Sequence, residues 1–448
     1  MKPILPDFRR SGMIRSRHPN EGDFLMAGTA LCLLAALLLL LATPAAAQAP
    51  LEISFWYGVG GQLEKIIQSQ AEKFNRSQPG VKVVPFYAGA YGAGGPMQQK
   101  LLASIAAGSV PDVVQLEIHA TCTFASKGAL VSLDELMAKS RHDRKEDFLP
   151  VLTNTACEGK TYGIPFNRSV PILYWNRDRF QKAGISGPPK TWAEVSAIAP
   201  KLTQEGAGGP GAKVFGFMPI NQWWFFQAMT WSNGGEMLSP DMKRAAFASE
   251  SAVAGLRVWT DLIDRGHAQI RTGPTEFLQT IQDFVNEKTA MYWGSAADMG
   301  AVAAAKFEWR AALSPGFEGK PLVVPQGGAN AVIMAKIAPE RQKAAWEFIQ
   351  WWTSPAEAAY WSRETGYVPV VKKALDDPDF KAFLKANPNH AVPIEELQYS
   401  RAAPPSPKYF QVLQLVQRAQ QNIISNKAPA LETLKSTAQQ VDALLAAP

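Results

Sequence analysis

The sequence has few of the residues that most often carry catalysis or bind metal. Its 448 residues include three cysteines and five histidines. No histidine stands in an H-E-x-x-H spacing, no G-x-S-x-G is present, and the glycine groups lack the Lys-Ser/Thr of a phosphate-binding loop. The sequence therefore predicts no enzyme, cofactor or metal site. A secreted glycoside hydrolase, whose two carboxylates need no motif, is the remote enzymatic alternative.

A strong excess of one charge is also missing. The chain has 45 basic and 39 acidic residues, a formal net charge of +6, and no Lys/Arg cluster typical of a nucleic-acid surface. An apolar fraction of 47% and a charged fraction of 19% exclude wholesale disorder. A chain of 448 residues exceeds what one hydrophobic core usually supports, which predicts two domains or lobes.

Long apolar runs are absent except for one at the N-terminus. Four arginines between residues 9 and 17 precede the apolar run from Phe24 to Ala42, which is followed by TPAAAQAP. This order predicts a secretory signal peptide over residues 1–47, with Met13 as an alternative start and a membrane anchor as the alternative reading. The aromatic stretch NQWWFFQAMTW (221–231) is too short and too polar to span a bilayer. We therefore expect a periplasmic protein.

Cysteine usage leaves one question open. Cys32 lies inside the apolar run and is removed with it, so only Cys122 and Cys157 remain. An oxidising compartment permits a disulfide between them. Two buried thiols fit the sequence equally well, because the sequence does not fix their Cα separation.

The secreted region begins with strands that alternate with helices. LEISFWY (51–57), VKVVPFY (81–87) and SVPDVVQLE (109–117) read as strands, and an amphipathic helix follows each of the first two. This alternation predicts a parallel sheet, with the loops after Tyr57, Tyr87 and Gln115 facing a common cleft. A second mixed block spans about 172–325, a core helix spans 338–354, and the tail from 407 to 445 is helical and amphipathic.

Seven segments in this order resemble a known family. They are FWYG (55–58), AEKFNRSQPGVKV (71–83), SVPDVV (109–114), PFNRSVPILYWNRDRF (165–180), PPKTWAEV (188–195), AMYWGS (290–295) and WSRETGYVPV (361–370). Together they resemble the carbohydrate-type solute-binding proteins of ABC importers, and within them the group that binds sn-glycerol-3-phosphate. The resemblance implies the two-lobed α/β periplasmic-binding-protein fold, with a three-crossing hinge and a ligand cleft between the lobes. The N-lobe would hold 50–167 plus 329–366, and the C-lobe 168–328 plus 367–448.

The resemblance also implies a function. The protein would be a monomeric binding protein that captures sn-glycerol-3-phosphate or a related glycerophospho compound by lobe closure. It would deliver this ligand to ABC permease subunits in the inner membrane. An oligosaccharide or another sugar is the alternative ligand.

Candidate ligand contacts follow from the same resemblance. They are Tyr91, Glu117, Ser169, Trp224, Ser295, Gly328 and Tyr367. Glu117 can accept hydrogen bonds from hydroxyls, the serines and the Gly328 amide can donate to phosphate oxygens, and Trp224 can pack on C–H groups. An ordinary capping role is the alternative for Glu117, and a place in the core is the alternative for most of the aromatic stretch.

One segment departs from the family pattern. The family's phosphate-binding arginine lies in a glycine-, leucine- and arginine-rich segment, where this chain reads YSRAAPPSPKYFQVLQ (399–414). Arg401 is the candidate replacement, and Lys408 lies nearby. Without a guanidinium at this position, the ligand could be a glycerophosphodiester or an oligosaccharide.

Overall fold

The computed structural model describes residues 49–91, 95–140, 144–206, 213–273 and 275–447. The signal peptide predicted over residues 1–47 lies outside these ranges. Within them, no helix is both long enough and apolar enough to cross a membrane.

The secondary structure follows the chain in a mixed order. The strands are β1 (Leu51–Tyr57), β2 (Val81–Tyr87), β3 (Val113–Glu117), β4 (Ala156–Cys157), β5 (Lys160–Thr161), β6 (Gly163–Ser169), β7 (Pro171–Asn176), β8 (Gln204–Glu205), β9 (Lys213–Val214), β10 (Met291–Ser295), β11 (Trp309–Ala312), β12 (Val324–Pro325), β13 (Gly327–Ile333) and β14 (Ser400–Arg401). The α-helices are α1 (Gln62–Ser77), α2 (Pro96–Ala106), α3 (Thr121–Ala125), α4 (Asp134–Ala138), α5 (Arg177–Lys182), α6 (Trp192–Leu202), α7 (Trp223–Ser232), α8 (Glu250–Asp264), α9 (Glu276–Val285), α10 (Met299–Val302), α11 (Pro339–Trp352), α12 (Pro355–Thr365), α13 (Pro378–Ala386), α14 (Val392–Glu396), α15 (Tyr409–Ser425) and α16 (Ala430–Ala446). Short 3₁₀ turns span Ile118–Ala120, Lys145–Asp147, Ala296–Asp298, Lys372–Asp376, Pro388–Ala391 and Leu397–Tyr399.

The first sheet is organised around β1. Within the described ranges it has five strands in the order β2-β1-β3-β13-β6. β1 pairs in parallel with β2 and β3, so that Leu51 lies opposite Val81 and Phe55 opposite Val113. Side chains of β1 alternate between the two faces, and the face that carries Phe55 packs on α11, where the Phe348 ring lies 5.4 Å away.

The predicted strands are confirmed with two corrections. The third begins at Val113 rather than at residue 109, because Asp112 turns its carboxylate to Ser54 and Arg341 instead of extending the strand. The sheet is parallel only at β1, β2 and β3. β13 runs antiparallel to β3 and β6. No crossover helix of a βαβ unit precedes it, because the chain enters β13 directly from β12, which pairs with β14 in a separate two-stranded sheet.

The second sheet is antiparallel, with the order β10-β7-β11. Met291 lies opposite Trp175, and Ala311 lies opposite Tyr174. Only Val170 separates β6 from β7, so the chain passes from one sheet directly into the other. The predicted strand-to-helix turn after β7 is confirmed, and the Asn176 side chain caps α5.

Aromatic rings gather at two places within one continuous hydrophobic core, one beside each main sheet. Behind the first sheet, the Phe166 ring lies 4.8 Å from Trp352 and 5.2 Å from Trp361. Beside the second sheet, the Trp293 ring lies 4.8 Å from Trp192 and 5.0 Å from Phe225. Edge-on and tilted contacts of this kind add to the area that the rings bury. The two clusters explain why the chain needs so many tryptophans.

Three crossings join the lobes in this fold class, and we assign them to residues 169–171, between β6 and β7, residues 325–327, between β12 and β13, and residues 365–368, at the end of α12. Arg168, which is fully buried beside the first, donates to the carbonyl oxygens of Val151 (3.0 Å), Thr153 (3.1 Å) and Ala329 (3.0 Å). It also donates to Asn330 Oδ1 at 2.6 Å. Burial lowers the pKa of Arg168 to about 9. This guanidinium therefore fastens the 151–153 loop and β13 to β6 at the hinge.

The structure also settles the state of the two cysteines and the form of the C-terminal tail. Cys122 and Cys157 form a disulfide with Cα atoms 4.8 Å apart, which ties α3 to β4. The tail predicted as helical consists of two helices, α15 and α16, which pack against each other. Lys427, with φ of 53°, and Pro429 separate them, because neither residue continues a helix there.

Candidate functional site

A cavity of about 1220 Å³ lies between the two sheets and is called the interlobe cavity below. Residues that follow the parallel strands β1, β2 and β3 line one wall, as the loop positions predicted. α7, α9 and the end of β10 supply the opposite wall, and α15 closes one side. Seven of the eight predicted ligand contacts line it: Tyr91, Glu117, Ser169, Trp224, Ser295, Gly328 and Tyr367.

Glu117 lies at the end of β3 and is 8% exposed. Its Oε2 accepts hydrogen bonds from the backbone amides of His119 (2.7 Å) and Ala120 (3.2 Å). Its Oε1 lies 2.6 Å from His119 Nδ1. The capping role considered as an alternative is thus observed. Because a carboxylate oxygen accepts two hydrogen bonds, Oε1 keeps one position for a hydroxyl in the cavity.

Two tyrosine hydroxyls lie beside the first crossing. Asn167 Nδ2 donates to Tyr91 Oη at 3.3 Å, and Asn167 itself is held by Gln115 at 2.9 Å. Burial raises the pKa of both Tyr91 and Tyr367, although a hydrogen bond from Asn167 acts to lower each. Both phenols therefore remain neutral O–H groups that can donate to a ligand oxygen.

At the second crossing, the backbone of residues 326–327 lies against the indole ring of Trp224. Trp224 Nε1 donates to the Gln326 carbonyl oxygen at 3.2 Å, which fixes the ring against Gly327. A Cβ on Gly327 would lie 2.9 Å from that ring. Gly328 has φ of 107°, and a Cβ there would come within 1.7 Å of the Asn167 carbonyl oxygen. Glycine is therefore required at both positions for this approach of the backbone to the cavity.

The end of β10 contributes a hydroxyl and a carboxyl. Ser295 Oγ accepts from the Ala297 amide at 3.2 Å, while the Ser295 amide donates to Asp298 Oδ2 at 2.8 Å. Burial raises the pKa of Asp298 to about 8, although hydrogen bonds from Ser295 and Tyr292 act to lower it. Asp298 lines the cavity and was not predicted, because no sequence motif marks it.

The aromatic stretch 221–231 divides between cavity and core. Trp223 and Trp224 line the interlobe cavity, and the Trp223 ring lies 5.1 Å from that of His119. Phe225 and Phe226 are fully buried within the second lobe. The stretch forms α7, whose first turn faces the cavity and whose remaining turns face the core.

Arg401 must be corrected, because it is not among the lining residues. Its guanidinium pairs with Glu236, with Nη1 and Oε1 2.9 Å apart, and lies 4.6 Å above the Trp231 ring. Lys408 is also engaged elsewhere, since its Nζ donates to the Leu445 carbonyl oxygen at 3.3 Å. Among the described residues, the arginine that lines the cavity is Arg418 on α15.

The charges around the cavity are unbalanced. Among the described lining residues the carboxyl groups are Glu117, Glu276, Asp298 and Glu364, and the only basic side chain is Arg418. Glu276, at the start of α9, is 6% exposed, and burial raises its pKa to about 7. Sequence reasoning missed it because its burial depends on tertiary packing. No three His, Cys, Asp or Glu side chains in the described part of the chain converge on a possible metal position.

A cleft between two α/β lobes that the chain joins by three crossings defines a two-lobed solute-binding protein. The chain belongs to the family of bacterial extracellular solute-binding proteins, which matches residues 69–391. This confirms the predicted resemblance and the predicted fold class. The family and its relatives are binding proteins, which favours binding over catalysis.

Individual relatives agree with this assignment. The sn-glycerol-3-phosphate-binding periplasmic protein of Yersinia pestis is 29% identical over 411 residues, covering 88% of this chain and 90% of the relative. UgpB of Mycobacterium tuberculosis, solved with glycerophosphocholine, superposes with a TM-score of 0.78 at 26% identity, covering 88% of this chain and 98% of the other. Maltose-bound MalE3 of T. maritima has a TM-score of 0.76 at 22% identity, covers 88% and 100% of the two chains, and supports the fold alone.

Proposed function

We propose that this protein captures a glycerophospho compound, and specifically a glycerophosphodiester, by closing its two lobes around the ligand. As a member of the solute-binding family it is the substrate-binding component of an ABC importer. We further propose that it acts as a periplasmic monomer and delivers the ligand to permease subunits in the inner membrane.

The composition of the interlobe cavity supports this ligand. Glu117 Oε1 offers an acceptor for a glycerol hydroxyl. Ser169, Ser295 and Tyr367 offer neutral donors for phosphate oxygens, and the Gly328 backbone lies beside them. Trp224 offers an aromatic face for the C–H groups of the glycerol backbone. These contacts, like the division of the chain into lobes at residues 167–168, 328–329 and 366–367, remain predictions.

Charge is the observation that favours a diester over a monoester. A phosphate monoester carries about −1.5 to −2 charges near neutral pH, whereas a diester carries one. The described lining supplies one arginine and four carboxyl groups, of which Asp298, with a pKa of about 8, is largely protonated near neutral pH and Glu276, with a pKa of about 7, is about half protonated. A ligand with two negative charges would meet too little positive charge there, whereas Arg418 can balance the one negative charge of a diester.

An oligosaccharide is the second candidate. Trp223 and Trp224 lie side by side on the cavity wall, and aromatic faces with carboxylates suit a neutral sugar as well. The cavity of about 1220 Å³ also exceeds the roughly 300–1,000 Å³ common for small-ligand sites, which leaves room for more than one sugar ring.

Thermal unfolding of the purified mature protein tests the ligand class. The panel is glycerophosphocholine, glycerophosphoglycerol, sn-glycerol-3-phosphate, maltose and trehalose. A ligand at 100 times its dissociation constant adds about 2.7 kcal/mol of stability, which raises the melting temperature by a degree or more even for a chain of this size.

We expect both diesters to raise the melting temperature more than the monoester does at equal concentration. A shift with maltose or trehalose alone would replace the proposal with the sugar alternative. A stronger shift with sn-glycerol-3-phosphate than with either diester would overturn the charge argument while keeping the glycerophospho class.

A further inference from the structure

Glu276 is a buried carboxyl group that has no counterion among the described residues. It is the first residue of α9, it lines the interlobe cavity, and its side chain is almost wholly buried. Its Oε2 has no hydrogen-bond partner among the described residues. A hydrogen bond from the Gly273 backbone acts to lower the pKa of this carboxyl group but leaves Oε2 unsatisfied. A buried carboxylate oxygen without a partner costs free energy, so its place in the cavity wall calls for a partner that arrives with the ligand.

The basic residues that flank α9 in the chain pair with a different carboxylate of that helix. Arg271 Nε lies 2.5 Å from Asp283 Oδ2, and Lys288 Nζ lies 3.3 Å from Asp283 Oδ1. Arg418 belongs to α15 on a different side of the cavity. Within the described part of the chain, no ion pair involves Glu276.

Aromatic rings accompany this carboxyl group. Phe277 is the next residue of α9 and also lines the cavity. Its ring lies 6.5 Å from Phe225, which in turn lies 5.1 Å from Trp224. Glu276 and Phe277 therefore lie on the wall that carries Trp224, two ring-to-ring steps from it. A carboxylate and an aromatic ring that line the same cavity can together recognise an alkylammonium group, the first through charge and the second through cation–π contact.

We propose that Glu276 and Phe277 form a subsite for an ammonium group of the ligand, so that the preferred diester is zwitterionic, with a choline or ethanolamine head group. This inference rests on the proposed glycerophosphodiester function and deepens it. The phosphate brings one negative charge to the donors at the crossings and Arg418. The head group brings one positive charge to Glu276, and the ligand as a whole is neutral.

Isothermal titration calorimetry at pH 8 tests the subsite, because Glu276 is mostly ionised there. The two probes are glycerophosphocholine and glycerophosphoglycerol, which share the phosphodiester and differ in the ammonium group. The variant is Glu276→Gln. Glu250→Gln is the matched control, because Glu250 is likewise the first residue of a helix but is exposed and lies outside the lining.

We expect Glu276→Gln to weaken glycerophosphocholine binding about tenfold or more while changing glycerophosphoglycerol binding less than about twofold. The control should bind both probes as the unaltered protein does. Equal affinities of Glu276→Gln and the unaltered protein for glycerophosphocholine would overturn the subsite and leave the proposed function intact. So would equal weakening for both probes. If the unaltered protein bound neither probe, the proposed function and the subsite would both fall.

Unfolding curves of Glu276→Gln show whether the variant is folded, so that weaker binding is not caused by loss of the folded state. Glutamine keeps the size of the side chain and removes a buried ionisable group, so we expect stability to be maintained or increased. Phe277→Leu provides an independent variant that leaves the carboxylate in place. It should reduce the preference for glycerophosphocholine over glycerophosphoglycerol, and an unchanged preference would remove Phe277 from the subsite.

Discussion

At the scale of single residues, the side chains of the interlobe cavity are held by the fold before any ligand arrives. Glu117 is fixed by two backbone amides and His119, and Trp224 is fixed by the Gln326 carbonyl. Such preorganisation lowers the entropy that binding would otherwise cost. Under the proposed function, a ligand would therefore meet an acceptor and an aromatic face already in position.

Replacing Trp224 tests whether this face contributes to affinity. We expect Trp224→Ala to weaken glycerophosphocholine binding by about 1–3 kcal/mol, since the variant loses the buried ring surface in contact with the ligand. Calorimetric titration measures the loss. Trp351→Ala serves as the control, because Trp351 lies on α11 outside the cavity and should leave the affinity unchanged. Equal affinities for Trp224→Ala and this control would remove Trp224 from the site.

Glu396 leads to a prediction about how the stability of the folded protein depends on pH. It is fully buried, with Ser314 N 3.3 and 3.2 Å from its two oxygens. Burial raises its pKa to about 8, although the hydrogen bonds from Ser314 act to lower it. The folded state therefore holds a proton that the unfolded chain releases above its ordinary pKa near 4.5. The stability that this proton contributes is complete at low pH and is lost as pH rises through about 8.

Glu396→Gln should remove this dependence, because the amide stays neutral and still accepts from Ser314. We expect the free energy of unfolding of the variant to rise relative to that of the unaltered protein from pH 5 to pH 8. The difference should reach a few kcal/mol at most, since each pKa unit corresponds to about 1.4 kcal/mol. Urea unfolding at several pH values measures the difference. Glu395→Gln is the matched control, since its neighbour Glu395 is exposed. Parallel pH profiles for the unaltered protein and Glu396→Gln would contradict the assignment.

The residues that sequence reasoning found and missed differ in kind. Ser169, Ser295 and Tyr367 lie in segments that resemble the family, and the structure brings them to one cavity. Glu276 and Asp298 lie in segments without a motif, and only packing reveals that they are buried in the wall of the interlobe cavity. Arg401 was chosen for its charge and its place in the chain, but Glu236 and Trp231 already engage that charge.

At the scale of elements, periodicity predicted what neighbouring residues do but not how distant strands pair. The helix over 338–354 and its core face were predicted correctly, because an apolar stripe is a local property. The direction of β13 was not predictable in this way. The direction of β13 depends on how the chain returns from the second lobe. The alternation of strands and helices therefore predicts parallel pairing for β1, β2 and β3 but not for β13, which is antiparallel to β3.

Arg168 connects the elements at the hinge, and its loss should be costly. Arg168→Met would leave the carbonyl oxygens of Val151, Thr153 and Ala329 buried without a donor, together with Asn330 Oδ1. We expect stability to fall by roughly 3–5 kcal/mol in urea unfolding. Arg177→Met, which removes a half-exposed partner of Glu308, should cost no more than about 1 kcal/mol. Similar losses of stability in the two variants would show that the buried hydrogen bonds of Arg168 contribute no more than an exposed ion pair does.

At the scale of the whole molecule, three crossings allow the lobes to change their relative orientation without breaking either sheet. Only Val170 separates β6 from β7, and only Gln326 separates β12 from β13. Gly366, with φ of 82°, lies in the third crossing, where a Cβ would come within 2.6 Å of Met299 and 2.7 Å of the Ala296 carbonyl oxygen. Short connections of this kind confine conformational change to a few residues.

Small-angle X-ray scattering tests whether ligand binding closes the lobes. A ligand shifts the equilibrium toward the closed state only through contacts that it lacks in the open one, and a ligand that bridges both cavity walls has such contacts. We expect saturating glycerophosphocholine to decrease the radius of gyration of the unaltered protein. Trp224→Ala, which loses one wall's contact, should reach the same compact state only at higher ligand concentration. Calorimetric binding without any decrease in the radius of gyration would mean that the ligand occupies one lobe alone, and capture by closure would then be wrong.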